Sequence, residues 1–170
     1  MKLDKDLREA CKEEFPDLTF ISALMEQGAD VNGKDGEGMT ALHYATDMLN
    51  KKCKLILFIL GAGADPNIQD KSGKTALSHY AFENRYKAGH LYALEVLTRY
   101  TDVNMQDNEG KTALFYRAGL STENRWSFLL VKKWGADIHV TDSSGKTALD
   151  YAEEGGNKTL ASFLRKKSGK

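Results

Sequence analysis

Thr40-Ala41-Leu42, Thr75-Ala76-Leu77, Thr112-Ala113-Leu114 and Thr147-Ala148-Leu149 are four copies of one phrase, starting 35, 37 and 35 residues apart in a chain of 170. A period of this size marks stacked supersecondary units, each too small to bury an apolar face alone, so a single globular core is not expected. A second phrase keeps step with the first. Gly28-Ala29-Asp30, Gly63-Ala64-Asp65, the degraded Tyr100-Thr101-Asp102 and Gly135-Ala136-Asp137 each open 12 residues before the following Thr. From each Thr to the next such phrase the distance is instead 23, 25 and 23 residues, so the length variation falls in that half of the unit.

Between the phrases lies an Asp-x-x-Gly frame, Asp35 to Gly38, Asp70 to Gly73, Asp107 to Gly110 and Asp142 to Gly145. Asp at the first position of a turn accepts from a backbone amide two residues on, and Gly at the last tolerates the dihedrals that reverse the chain. The Thr that follows suits a helix N-cap, with Ala, a strong helix former, behind it. Each unit therefore runs hairpin, helix, loop, helix.

These features together resemble the ankyrin repeat, whose mark is Thr-Pro-Leu-His-x-Ala after the turn and Gly-Ala-Asp-x-Asn after the second helix. The resemblance covers roughly residues 16 to 167. Asn32, Asn67 and Asn104 complete the second phrase, with His139 in the last copy, and the period slightly exceeds the family's value of about 33. Ala stands for Pro in every copy, and only His43 keeps the His, replaced by Ser78, Phe115 and Asp150 elsewhere. In the family that His bonds the Thr hydroxyl, so looser helix starts are expected in the other three copies. Arg117 stands where a small buried Ala is usual, which implies either a distorted third repeat or a side chain that escapes to solvent along its stem.

The resemblance implies an all-α ankyrin-repeat solenoid of stacked helix pairs with short hairpins or turns between them. One domain over residues 1–170 is expected: an N-terminal capping helix pair at 1–27, interior repeats at 28–62, 63–99 and 100–134, and a C-terminal capping repeat at 135–170. Within the first unit, Pro16 separates helices at 3–14 and 17–27, the second carrying Phe20, Ile21, Leu24 and Met25 at helical spacing. Charge on residues 4–14, and Arg165-Lys166-Lys167 at the other end, suit units whose outer faces meet water. Relative to the family, extra residues fall near 48–52, 84–89 and 120–124. The largest insertion, Glu83 to Gly89, is read as tolerated length rather than as a contact loop.

Composition narrows the function. Lys plus Arg and Asp plus Glu number 24 each, so the basic excess of a general nucleic-acid binder is missing. The longest apolar run, Leu55 to Leu60, is far short of the roughly 18 residues of a spanning helix, and the charged Met1 to Asp6 lacks a secretory signal's apolar stretch. No membrane association, and an intracellular, cytoplasmic location, are expected; export without a signal stays open. Cys11 and Cys53, outside any Cys-x-x-Cys pair, suit reduced packing residues.

Ser72-Gly73-Lys74-Thr75 and Ser144-Gly145-Lys146-Thr147 look like the end of a phosphate-binding loop, but Ile68 and Val140 stand where its first Gly is required. No two of His43, His79, His90 and His139 have zinc-site spacing, and no serine or cysteine falls in a nucleophile signature. Neither cofactor, metal nor catalytic residue is expected. Asn157-Lys158-Thr159 is a glycosylation sequon relevant only in the secretory path.

What remains is surface. In an ankyrin array, partner contacts come from hairpin tips and first helices, which implies candidates at Lys34, Glu37, Met39, Lys71, Lys74, Asn108, Lys111, Ser143 and Lys146 on the tips. Tyr44, Asp47, Met48, His79, Phe82, Glu83, Tyr116, Leu120 and Tyr151 are the candidates on the concave face. Lys74, Lys111 and Lys146 would form a positive column favouring an acidic partner, or simply solubilise the tips. Tyr44, His79, Tyr116 and Tyr151 share one repeat position and form a ring ladder, either a contact surface or packing between units. The function expected is a monomeric, non-catalytic module that binds another protein. The alternatives are an inhibitor or immunity-type or host-directed effector occluding a partner enzyme, a structural spacer, and an enzyme with a pocket between repeats.

Overall fold

The computed structural model describes residues 2–46, 53–82, 90–120 and 125–169, with the backbone alone over 90–93. Helices alternate with turns along the whole of it. In chain order they are α1 (Lys2–Lys12), α2 (Leu18–Glu26), α3 (Ala41–Ala45), α4 (Cys53–Gly61), α5 (Ala76–Phe82), α6 (His90–Tyr100), α7 (Ala113–Ala118), α8 (Arg125–Lys132), α9 (Ala148–Glu154) and α10 (Lys158–Lys167). The odd-numbered helices stack in one continuous row, α1 on α3, α3 on α5, α5 on α7 and α7 on α9. The hairpins are reduced to turns: among the described residues, β-type pairing is confined to a bridge between Thr141 and Thr147. This is an all-α solenoid.

Every repeated residue has a place in the stack. Thr40, Thr112 and Thr147 hold extended backbone with φ of −100°, −95° and −100°, the conformation of an N-cap, and the helix begins at the Ala that follows. That Ala and the Leu after it face inward, so Ala41, Leu42, Ala76, Leu77, Ala113 and Leu114 are at most 2% exposed. Second helices supply the other wall through Leu55, Ile56, Ile59, Leu97, Trp126, Leu130, Leu160 and Leu164. Leu149, the same position in the last copy, is only half-buried because it lies at the end of the row.

The structure places three features that the sequence singled out. Phe20 does not join Ile21 and Leu24 in the core; those two are 0% and 5% exposed, whereas Phe20 is 52% exposed. Arg117 neither distorts its repeat nor escapes: α7 runs through it and the side chain is 2% exposed, its guanidinium 5.8 Å from the Trp126 ring centre. Tyr80, the residue at the same repeat position one unit earlier, meets the same indole edge-on at 6.1 Å, so two oversized side chains converge on one buried tryptophan. The sequon is closed, since Asn157 is 2% exposed, caps Leu160 N at 3.2 Å and donates to Leu120 O at 3.1 Å. Where other copies end the second helix with glycine, α6 runs on through Tyr100, and the Thr101 hydroxyl bonds Leu97 O at 2.8 Å.

Candidate functional site

The turn carboxylates organise the face. Each uses one oxygen inside its own turn and the other to hold a ring from the first helix nine residues on. Asp70 Oδ1 accepts from Ser72 N at 2.8 Å, Lys74 N at 2.9 Å and the Ser72 hydroxyl at 2.7 Å. Asp142 Oδ1 repeats this with Ser144 N, Lys146 N and the Ser144 hydroxyl, and Asp35 and Asp107 take the same two amides of their own turns. The amides that a phosphate would need around Lys74 and Lys146 are therefore already occupied, which is the structural reason these segments are turns.

The second oxygen of each Asp receives the ladder residue: Tyr151 OH donates to Asp142 at 2.7 Å, His79 Nε2 meets Asp70 at 2.7 Å, and Tyr44 and Tyr116 donate to Asp35 and Asp107. Burial pushes the Asp35, Asp70 and Asp142 carboxyls up, yet the hydrogen bonds they accept outweigh it and hold all three below the usual carboxylate value. Burial and then the adjacent carboxylate push the Tyr44 hydroxyl up to about 12, and shift Tyr116 and Tyr151 in the same direction. The rings are half-buried, fixed at the hydroxyl or imidazole end.

Neighbouring turns are joined by backbone bonds, Lys71 N to Glu37 O at 2.9 Å, Asn108 N to Ser72 O at 3.0 Å and Ser143 N to Glu109 O at 2.9 Å. Side chains join them too. Lys34 Nζ reaches Gln69 O at 3.1 Å and Asn108 Nδ2 reaches Lys71 O at 2.8 Å, so these two candidates are engaged within the stack. On the opposite edge, Asn32 Oδ1 accepts from Asp65 N, Asn67 Oδ1 from Asp102 N and Asn104 Oδ1 from Asp137 N, at 2.7 to 2.8 Å.

The lysines of the column differ in their surroundings. Lys111 pairs with Glu109 at 2.7 Å and Lys146 with Glu154 at 2.7 Å. Lys74 lies instead between two rings, 4.5 Å from the Phe82 centre and 5.1 Å from that of Tyr116. Those rings meet edge to face at 5.5 Å, and Phe82 is 56% exposed. Lys12 lies over Tyr44 at 4.3 Å and Lys111 over Tyr151 at 5.3 Å, so a cation from one unit covers the ring of the next. Glu37 and Ser143 are exposed at turn tips, Met39 and Leu120 are half-buried, and Lys71 is 3.9 Å from Glu37. Asp47, Met48 and Glu83 lie outside the described residues, as do residues 84–89 of the largest insertion.

The helix starts beneath this face are less uniform. His43 Nδ1 accepts from Thr40 N at 3.2 Å, with the Thr40 hydroxyl 2.9 Å away, leaving Nε2 to donate to Lys74 O of the next unit at 3.2 Å. That arrangement requires neutral imidazole, and burial depresses its pKa to about 4. Looser starts were expected wherever His is replaced, and two of the three are nonetheless capped. Asp150 accepts from Thr147 N and the Thr147 hydroxyl, both at 2.7 Å. Ser78 N donates to the Thr75 hydroxyl at 3.2 Å. Thr112 alone among them lacks a side-chain cap, because Phe115 offers no polar atom and is 1% exposed.

Compared with known proteins, residues 7–107 match the family described as ankyrin repeats in three copies. A putative ankyrin repeat protein of Acanthamoeba polyphaga mimivirus is 34% identical over 70 residues, 40% of this chain and 9% of that protein. The human BCL-6 corepressor-like protein 1 is 32% identical over 91 residues, 52% of this chain and 5% of that protein. A putative ankyrin repeat protein of Rickettsia bellii (strain RML369-C) is 36% identical over 81 residues, 48% of this chain and 42% of that protein. The matched stretch is less than half the length of each of these relatives.

Proposed function

This chain belongs to the ankyrin-repeat family, and from that premise we propose that it is a non-catalytic module binding another protein through its turn tips and the concave face of its first helices. Ankyrin repeats in general serve as protein-interaction modules. The observation that carries the proposal to particular residues is the Lys74, Phe82 and Tyr116 cluster, where an exposed phenyl stands with a lysine that, among the described residues, rests on two rings rather than on a carboxylate. Exposed apolar surface rimmed by charge is the usual mark of a contact site, and aromatic residues dominate interface energetics. Because the ladder rings are tied to turn carboxylates, little ordering is required on binding, which favours affinity. The partner this cluster fits is an acidic segment bearing an apolar side chain.

The test is affinity capture with the parent and a Lys74→Glu/Phe82→Ala variant of equal thermal stability. Loss of the specifically retained proteins is expected from the variant. An unchanged set overturns this assignment.

A further inference from the structure

The N-terminal helix pair carries a separate surface. Residues 1–27 hold seven carboxylates against four lysines and arginines, while the remaining chain holds 17 against 20, so the acidic excess of a chain with zero net charge is concentrated in one unit. On that unit a groove of about 390 Å³ is lined by Asp6, Glu9, Glu13, Asp17, Phe15 and Phe20. Phe15 is 79% exposed and Phe20 52%. Asp6, Glu9 and Glu13 follow one another at helical spacing, so α1 and the residue after it present one acidic edge. Asp17 Oδ1 caps α2 through Thr19 N at 2.9 Å and Phe20 N at 3.3 Å, which fixes the carboxylate and the backbone that carries Phe20.

We propose that this groove binds a basic segment of another protein, with an aromatic or aliphatic side chain seated against Phe15 and Phe20 and flanking lysines or arginines meeting Asp6, Glu13 and Asp17, Glu9 being paired with Lys12 at 2.7 Å. Carboxylates attract the cations, the phenyl faces add cation–π attraction, and burial of the two rings supplies the apolar contribution. The same charge repels nucleic acid and anionic lipid surfaces. A second copy of this chain offers basic Arg165, Lys166 and Lys167, but the exposed large apolar side chains among the described residues are Phe15, Phe20, Leu57, Phe82 and Tyr100, none of them at that end. A second copy thus matches the charge without filling the groove.

The test uses a display library of short peptides with a fixed central Trp or Leu flanked by Lys and Arg, against a matched library carrying Glu at the flanks. The basic library is expected to enrich on the parent protein. In fluorescence anisotropy its best binder should weaken at least about tenfold with Phe15→Ser, Phe20→Ser or Glu13→Lys, all surface changes, and be unaltered by Phe82→Ala. Enrichment of the acidic library or of neither overturns the proposal, as does equal binding by the three groove variants. Loss with Phe82→Ala assigns the peptide to the concave face instead, and concentration-dependent self-association abolished by Glu13→Lys assigns the groove to a second copy; either result also overturns it.

Discussion

Along the turns, the four copies keep the same Asp and Gly in the same geometry; at the helix starts a few residues later, they use four different chemistries, His43, Ser78, Phe115 and Asp150. The turns must register with one another, because the tip amides of each unit donate to a carbonyl of the unit before. A helix start has its own first turn to satisfy, which a hydroxyl or a carboxylate does locally, whereas Phe115 leaves Thr112 without a side-chain cap. Two of these residues also reach across to the next unit, His43 to Lys74 O and Phe115 edge-on to the Tyr151 ring at 5.7 Å. The recurring Asp and Gly of the turns thus keep the register in which neighbouring turns bond, while the residue three after each Thr varies with how its own helix start is satisfied.

The sharpest way to break this comparison is at two glycines that share one left-handed φ. Gly73 and Gly145 both have φ of +79°, but a Cβ on Gly73 would stand 2.6 Å from Asn108 N, whereas one on Gly145 would meet nothing within 4 Å. Gly145→Ala is expected to cost only the left-handed strain, about 1–2 kcal/mol. Gly73→Ala adds the clash with the next turn and is expected to cost about 3–5 kcal/mol in urea unfolding. Equal losses would mean that the turns do not couple the units.

Acid comes next. The unfolded chain protonates His43 near 6.5 but the folded one only near 4, so the stabilising neutral form is fully present above about 6.5 and lost as pH falls towards 4. A loss of about 3 kcal/mol across that window is expected from this residue. His43→Phe, which copies Phe115, should flatten the stability-against-pH curve there, and an unchanged slope would contradict the neutral bridge to Lys74.

Capping gives a smaller effect. Asp150→Ala removes the acceptor for two Thr147 donors and is expected to cost about 1–2 kcal/mol, against about 0.5 kcal/mol for Ser78→Ala, whose backbone amide still meets the Thr75 hydroxyl. Lys74→Ala should be the mildest, within about 0.5 kcal/mol in stability, because its ammonium is held by ring faces at a partly exposed site.

Much of the fold was legible because the stack writes its period into the chain: Thr, Ala, Leu and the turn Asp recur wherever the geometry recurs. The site was legible only in part. Repeat position brought Tyr44, His79, Tyr116 and Tyr151 together, but their bond to the turn Asp joins residues nine apart across a turn and a helix start, a spacing that no helix or strand period signals. Phe20 misled because its period agrees with Ile21 and Leu24 while α2 has an outer side as well as an inner one. Tyr80 and Arg117 occupy one repeat position, yet their shared partner Trp126 lies on a second helix whose length variation hides the correspondence.

Site-specific photocrosslinking compares the two sides of the stack most directly. A benzophenone amino acid would replace Phe82, 56% exposed on α5, or Leu57, 40% exposed on α4, in the cell. Discrete adducts with another protein from position 82, lost with Lys74→Glu, and none from position 57 are the result predicted. Adducts from position 57 alone, or from neither, would contradict recognition through the first-helix face.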